Sequence, residues 1–192
     1  MTRFLFFSLP SLFFLLIVAG CQTENRQESP SGKGSAVAPS DSTTALTAAS
    51  FVNFSENAIM GENVYVPVYS HIYQLDHRKT FNLTATLSFR NSDMQHPITL
   101  KKVYYYDSKG SLVHKYLDQP QTIGPLASTS FVVEEEDLRG GVGANFLVLW
   151  ESEEQVSHPI IEAVMISTSQ QQGISFVSEG RAIHSLGQNV KE

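Results

Sequence analysis

The chain has 192 residues, with 13 basic and 19 acidic side chains, a formal net charge of −6 and one cysteine. A mildly acidic chain with no basic stripe, no zinc-finger spacing and no aromatic ribonucleoprotein motif is not built for nucleic acid. One cysteine excludes an internal disulfide, so the fold must rest on a hydrophobic core.

The chain begins with an address. Arg3 gives a positive start, and residues 4–19 form an apolar run broken only by Ser8, Pro10 and Ser11. A membrane-spanning helix needs about 20 apolar residues, whereas the apolar part of a signal peptide needs about 7 to 15. The run fits the second description. Leu15-Leu16-Ile17-Val18-Ala19-Gly20-Cys21 then sets small residues directly before a cysteine, and this resembles the lipobox of bacterial lipoproteins. The resemblance implies that residues 1–20 are removed as a signal peptide, that a diacylglyceryl group joins the Cys21 sulfur, and that the new amino terminus is acylated. Two or more acyl chains hold a protein firmly, since each buried methylene contributes about 0.8 kcal/mol. Gln22, not Asp, follows Cys21, which resembles the pattern sent to the outer membrane of Gram-negative bacteria. The expected location is therefore the bacterial cell envelope, lipid-anchored, and in a Gram-negative host the outer membrane facing the periplasm. With Cys21 committed to lipid, cysteine proteolysis, zinc-thiolate sites and thiol redox chemistry drop out.

Residues 21–52 change composition to Gln, Glu, Ser, Pro, Gly, Ala and Thr, with almost nothing apolar to bury. Such a segment cannot offset its ordering entropy and is expected to be a disordered linker. About 30 residues of this kind reach roughly 30 Å, enough to hold a domain just off a bilayer.

Residues 53–185 read as one domain, with 186–192 as a disordered tail. Removal of the signal takes Arg3 away and leaves 12 basic against 19 acidic residues, a net charge of −7. Hydrophobic periodicity in this part is two and not 3.6. Val64, Val66 and Val68 alternate with Tyr65, Pro67 and Tyr69, and Pro67 argues for an edge strand. Phe81, Leu83, Ala85, Leu87 and Phe89 alternate with polar residues as one half-buried strand. Strands over Ile98 to Asp107 and Ser111 to Leu117 flank Asp107-Ser108-Lys109-Gly110, a hairpin turn with Gly in the left-handed position. Three more strands read as Ser128 to Glu134, Asn145 to Glu151 and Ile160 to Ser167. About seven short strands and no helical pattern predict an all-β fold, an antiparallel immunoglobulin-like β-sandwich.

Two of these strands, Phe146 to Trp150 and Ile160 to Ile166, are apolar on both faces. Something must cover the second face. The tail, with Ile174, Phe176, Val177 and Ile183, is the nearest cover, and a subunit or partner interface is the sharper alternative.

The segments Val64 to Tyr73, Arg139 to Phe146, Pro159 to Ile166 and Gly173 to Phe176 resemble, as a set, the bacterial domain of unknown function 3124. The resemblance spans about residues 62 to 183. It carries no activity, catalytic residue or cofactor with it, so the chemistry rests on the residues themselves.

The loop Arg139-Gly140-Gly141-Val142-Gly143-Ala144-Asn145 could offer bare N–H groups to an anion. A phosphate cradle leads into a helix, however, and here a strand follows, so a tight loop whose glycines take positive φ is the plainer expectation. The run Glu134-Glu135-Glu136-Asp137 lacks calcium-loop spacing, and the six histidines form no paired metal motif. Neither a metal nor another cofactor is expected, and no catalytic residue is assigned. All seven tyrosines lie between Tyr65 and Tyr116. Tyrosine suits sugar and protein contact surfaces, and the binding candidates are Tyr65, Tyr69, His71, Tyr105, Arg139 and Asn145. The expected function is a non-enzymatic envelope binding or assembly module with a protein or glycan partner. The alternative is an envelope hydrolase or metal-handling protein using His71 or the acidic run Glu134 to Asp137.

Overall fold

A computed structural model describes residues 53–168 and 173–186. The expectations for residues 1–20, for the lipidated Cys21 and linker over 21–52, and for residues 187–192 of the tail lie outside these. Among the described residues, twelve strands follow one another: β1 (Met60–Val68), β2 (His71–Gln74), β3 (Asp76–Asn82), β4 (Thr84–Arg90), β5 (Ile98–Tyr106), β6 (Leu112–Lys115), β7 (Gln121–Ile123), β8 (Ser128–Val133), β9 (Ala144–Ser152), β10 (Ile160–Ser167), β11 (Ile174–Glu179) and β12 (Arg181–Ser185). A short 3-10 turn, Leu138–Gly140, precedes β9.

The strands form an antiparallel sandwich. The larger sheet runs β12-β1-β9-β5-β6, with β7 also on β5, and the smaller runs β11-β10-β4-β8. Strand alternation explains the core between them. Val64, Val66 and Val68 meet Phe146, Val148 and Trp150 on the inner face of the larger sheet, and Ala85, Leu87, Phe89, Ala163 and Met165 oppose them from the smaller one. Trp150 is wholly buried, and its truncation to Ala costs about 3 to 5 kcal/mol.

Four details differ from the sequence-based expectation. The strand read from Phe81 to Arg90 is broken at Leu83, whose N–H donates to the Ser70 carbonyl at 2.9 Å. Residues before the break turn into the separate β2–β3 hairpin. Strand β1 is not an edge, for it lies between β12 and β9. Its pairing with β12 stops at Tyr65 opposite Arg181, however, so Pro67 sits where no ladder partner is needed on that side.

The third concerns the tail, which lies on no sheet face. It adds an edge strand to each sheet, β11 on β10 and β12 on β1. The chain crosses between sheets at Gly180, where a Cβ would meet Val64 Cγ1 at 2.7 Å and the Ile161 carbonyl at 2.8 Å. The outer face of β9 is covered instead by Phe54, Tyr104, Tyr106 and Leu112, which pack with Leu147 around a fully buried Leu149.

The fourth is a bulge in β5 between Leu100 and Lys102. It reverses the parity of the strand. Ile98 and Leu100 point inward, and after the bulge so do Val103 and Tyr105. Tyr104 and Tyr106 therefore face outward.

Candidate functional site

The register of the larger sheet assembles its outer face row by row. Tyr65 on β1 is opposite Leu147, which is opposite Tyr104 on β5, which is opposite Lys115 on β6. The next row runs Pro67, Asn145 and Tyr106. Cross-strand partners share a face, so two of the residues singled out from sequence, Tyr65 and Asn145, are brought together. Lys115 Nζ stands 5.4 Å from the centre of the Tyr104 ring, a cation–π distance.

Where this face meets the open edge of the sandwich there is a cleft of about 610 Å³ lined by Tyr65, Pro67, Val177, Ser178, Glu179 and Arg181. The Gly180 crossing builds it, because it brings the start of β12 beside β1 while β11 forms the other wall. Tyr65 is 36 % exposed. Neither Glu179 nor Arg181 takes part in an ion pair among the described residues. The cleft thus offers an aromatic ring, a proline ring and a valine with one carboxylate and one guanidinium free to bond outward. Tyr69, 39 % exposed, stands edge-on to Phe176 at 6.1 Å. Val177, Glu179 and Arg181 were not among the sequence candidates. The alternation of β11 carried a signal, but nothing in it told which sheet edge the tail would join.

The remaining candidates lie elsewhere. Tyr105 is 1 % exposed, packed on Phe146, with its hydroxyl under Gly140. Burial first, and then the nearby Asp137 carboxylate, raise its pKa well above the usual tyrosine value. Tyr116 is pushed up to about 12 by the same two causes in the same order. Arg139 is held by Asp137, its Nε and Nη2 donating at 2.8 and 2.7 Å. That pairing, led by the side-chain hydrogen bonds, raises the Arg139 pKa and lowers that of Asp137. Arg139 and Asp137 line a separate hollow of about 230 Å³ with His114 and Tyr116.

The glycine loop is clamped from two sides. The Arg139 N–H donates to Asp137, that of Gly141 to Ser70 Oγ at 2.9 Å, and that of Gly143 to Ser108 Oγ at 2.9 Å. These amides are already taken, and Gly141 has φ +77°. The loop is a tight connection as expected, although Gly141 alone of its three glycines takes positive φ, and Gly140 is needed for the close approach of Tyr105. His71 Nδ1 lies 3.2 Å from Ser70 Oγ, a Ser–His contact in space. Yet Ser70 is 1 % exposed, and its hydroxyl also lies within hydrogen-bond distance of the Leu138 and Gly141 carbonyls. It serves the loop. Among the described residues, no three His, Asp or Glu side chains gather where a metal could be held, the run Glu134 to Asp137 included.

Neither a search of curated proteins nor one of solved structures finds a match. Residues 61–183, from the second residue of β1 to the middle of β12, match one family over most of the folded domain. The chain belongs to that family, described as Protein of unknown function (DUF3124).

Proposed function

We propose that this protein is a lipid-anchored bacterial envelope module that binds without catalysis, and that its cleft at Tyr65 and Arg181 takes an extended glycan. Cys21 carries the lipid, residues 21–52 act as the tether, and the immunoglobulin-like sandwich presents the site to the periplasm. The observation that carries the reading is the composition of the cleft, where Tyr65 and Pro67 line the same space as Glu179 and Arg181. A sugar ring has an apolar face and a rim of hydroxyls. Tyrosine covers the first and donates to the second, while a carboxylate accepts from hydroxyls and a guanidinium donates in a fixed fork. Concave sites with an apolar lining and a few placed polar groups are where small ligands and chain segments bind.

Co-sedimentation of the purified protein with insoluble cell-wall glycan tests this. Wild type should pellet with the glycan, and Tyr65→Ala or Arg181→Ala should weaken retention by about tenfold, equivalent to about 1.4 kcal/mol. Equal retention of all three proteins would remove the cleft from the account.

A further inference from the structure

The β2–β3 hairpin takes no part in the site above, and its composition departs from that of the rest of the chain. Its inner half is attached to the body, with Ile72 opposite Phe81 and both half-buried. Its outer half stands in solvent. Leu75 forms the tip at 92 % exposure, the most exposed large apolar residue among those described, with Tyr73 beside it at 55 %. Leu75 has φ +62°, a left-handed conformation that non-glycine residues rarely adopt. The backbone is thus held in an uncommon state that leaves a leucine side chain in water.

Charge points the same way. In a protein of net charge −7 once the signal is gone, the hairpin carries His77, Arg78 and Lys79 in a row, all exposed. Among the described residues neither Arg78 nor Lys79 has an ion-pair partner. The one acid, Asp76, is turned to the backbone and accepts from the Arg78 N–H at 2.9 Å. Leu126 gives the contrast. It too is exposed, at 68 %, with φ +57°. Its turn carries no basic residue, and its N–H donates to the Asp93 carbonyl.

We propose that the β2–β3 hairpin docks on an anionic lipid bilayer, with Leu75 entering the acyl boundary, Tyr73 at headgroup level, and Arg78 and Lys79 on lipid phosphates. An apolar tip flanked by an interfacial aromatic and by cations is the arrangement that partitions into a charged membrane surface. A sugar strand would call for ring faces rather than an exposed leucine. Geometry allows the docking. Strand β1 runs nine residues from Met60, near Phe54, to Val68, next to the hairpin. That is about 30 Å at the rise of a strand, comparable with the reach of a 30-residue linker. Docking would then set how the domain lies on its membrane, a role distinct from the lipid's.

The test uses the full lipoprotein reconstituted in vesicles, with Leu75→Cys carrying an environment-sensitive fluorophore and Leu126→Cys as the control. In phosphatidylcholine vesicles containing phosphatidylglycerol, the label at position 75 should shift to the blue and be quenched by nitroxide-bearing lipids, and that at 126 should not. Arg78→Glu with Lys79→Glu should lower the docked-to-free ratio by at least about 25-fold, since each basic side chain near an anionic surface contributes about fivefold. A label at 75 that stays in water on anionic vesicles would overturn the proposal. So would quenching that ignores the charge reversal, or shielding that appears only when cell-wall glycan or protein is added.

Discussion

Tyr105 and Gly140 define each other. The hydroxyl of Tyr105 is buried and makes no hydrogen bond, and it occupies the space that a Cβ on residue 140 would need. A buried hydroxyl left without a partner costs about 1 to 3 kcal/mol. Tyr105→Phe is therefore expected to leave the protein at least as stable as wild type in urea denaturation. Gly140→Ala should destabilise it by about 2 kcal/mol or more, and part of that loss should be recovered when both changes are combined, because the oxygen it strikes is gone. Additive losses would show that the two do not meet.

Glu151 is a second residue whose setting fixes a prediction. It is 6 % exposed and accepts from the Ser55 N–H at 2.9 Å, the Ser55 hydroxyl at 2.6 Å and Lys101 Nζ at 2.9 Å. Burial alone would raise its pKa, but the Ser55 bonds and then Lys101 outweigh it and leave the pKa below the ordinary 4.5. A carboxyl depressed in the folded state contributes stability that is present above its unfolded pKa and is lost as pH falls through the folded one. Glu151→Gln should lower the midpoint of thermal unfolding at pH 7, and the gap to wild type should narrow below about pH 4.5. A gap that stayed constant from pH 7 to pH 3 would contradict this.

Among the elements, β11 and β12 matter most, because they turn the end of the chain into a wall of the cleft. Their crossing needs the bare backbone of Gly180, whose N–H also donates to the Ile161 carbonyl at 2.8 Å. Gly180→Ala should cost about 1 to 3 kcal/mol through that crowding and should weaken glycan retention as well, since Arg181 and Glu179 flank it. Retention unchanged in a destabilised protein would separate the crossing from the cleft.

The same elements mark how far the sequence could be read. Six of the seven strands read from the sequence form, and the seventh, Phe81 to Arg90, splits at Leu83. A half-buried strand writes its period of two into its own residues, whereas Phe146 to Trp150 and Ile160 to Ile166 are marked only as apolar runs. The β5 bulge could not be read in this way, as one extra residue reverses parity without altering composition. Tyr105 consequently looked like its neighbours although it lies in the core. Pro67 correctly indicated a missing ladder partner, but not that the gap would be local to one half of β1. The cleft was half legible. Tyr65 stood out by type, and Asn145 lies on the same sheet face outside the cleft, whereas Arg181 and Glu179 acquire their setting only from a sheet crossing that depends on long-range pairing.

At the scale of the whole molecule the parts divide by task. The core between the two sheets supplies stability without a disulfide. Clamps at Ser70 and Ser108 fix the glycine loop, and the outer face of the larger sheet leads into the cleft. The hairpin at Leu75 stands apart from all three, which is why its proposed membrane contact can fail while the cleft reading stands. The most direct measurement places a photo-crosslinking amino acid at position 65 in living cells, with position 126 as the control. The account predicts an adduct at 65 that carries cell-wall sugar and falls by about tenfold with Arg181→Ala, and none at 126. Adducts equal at both positions, or an adduct at 65 with no sugar in it, would contradict the glycan cleft.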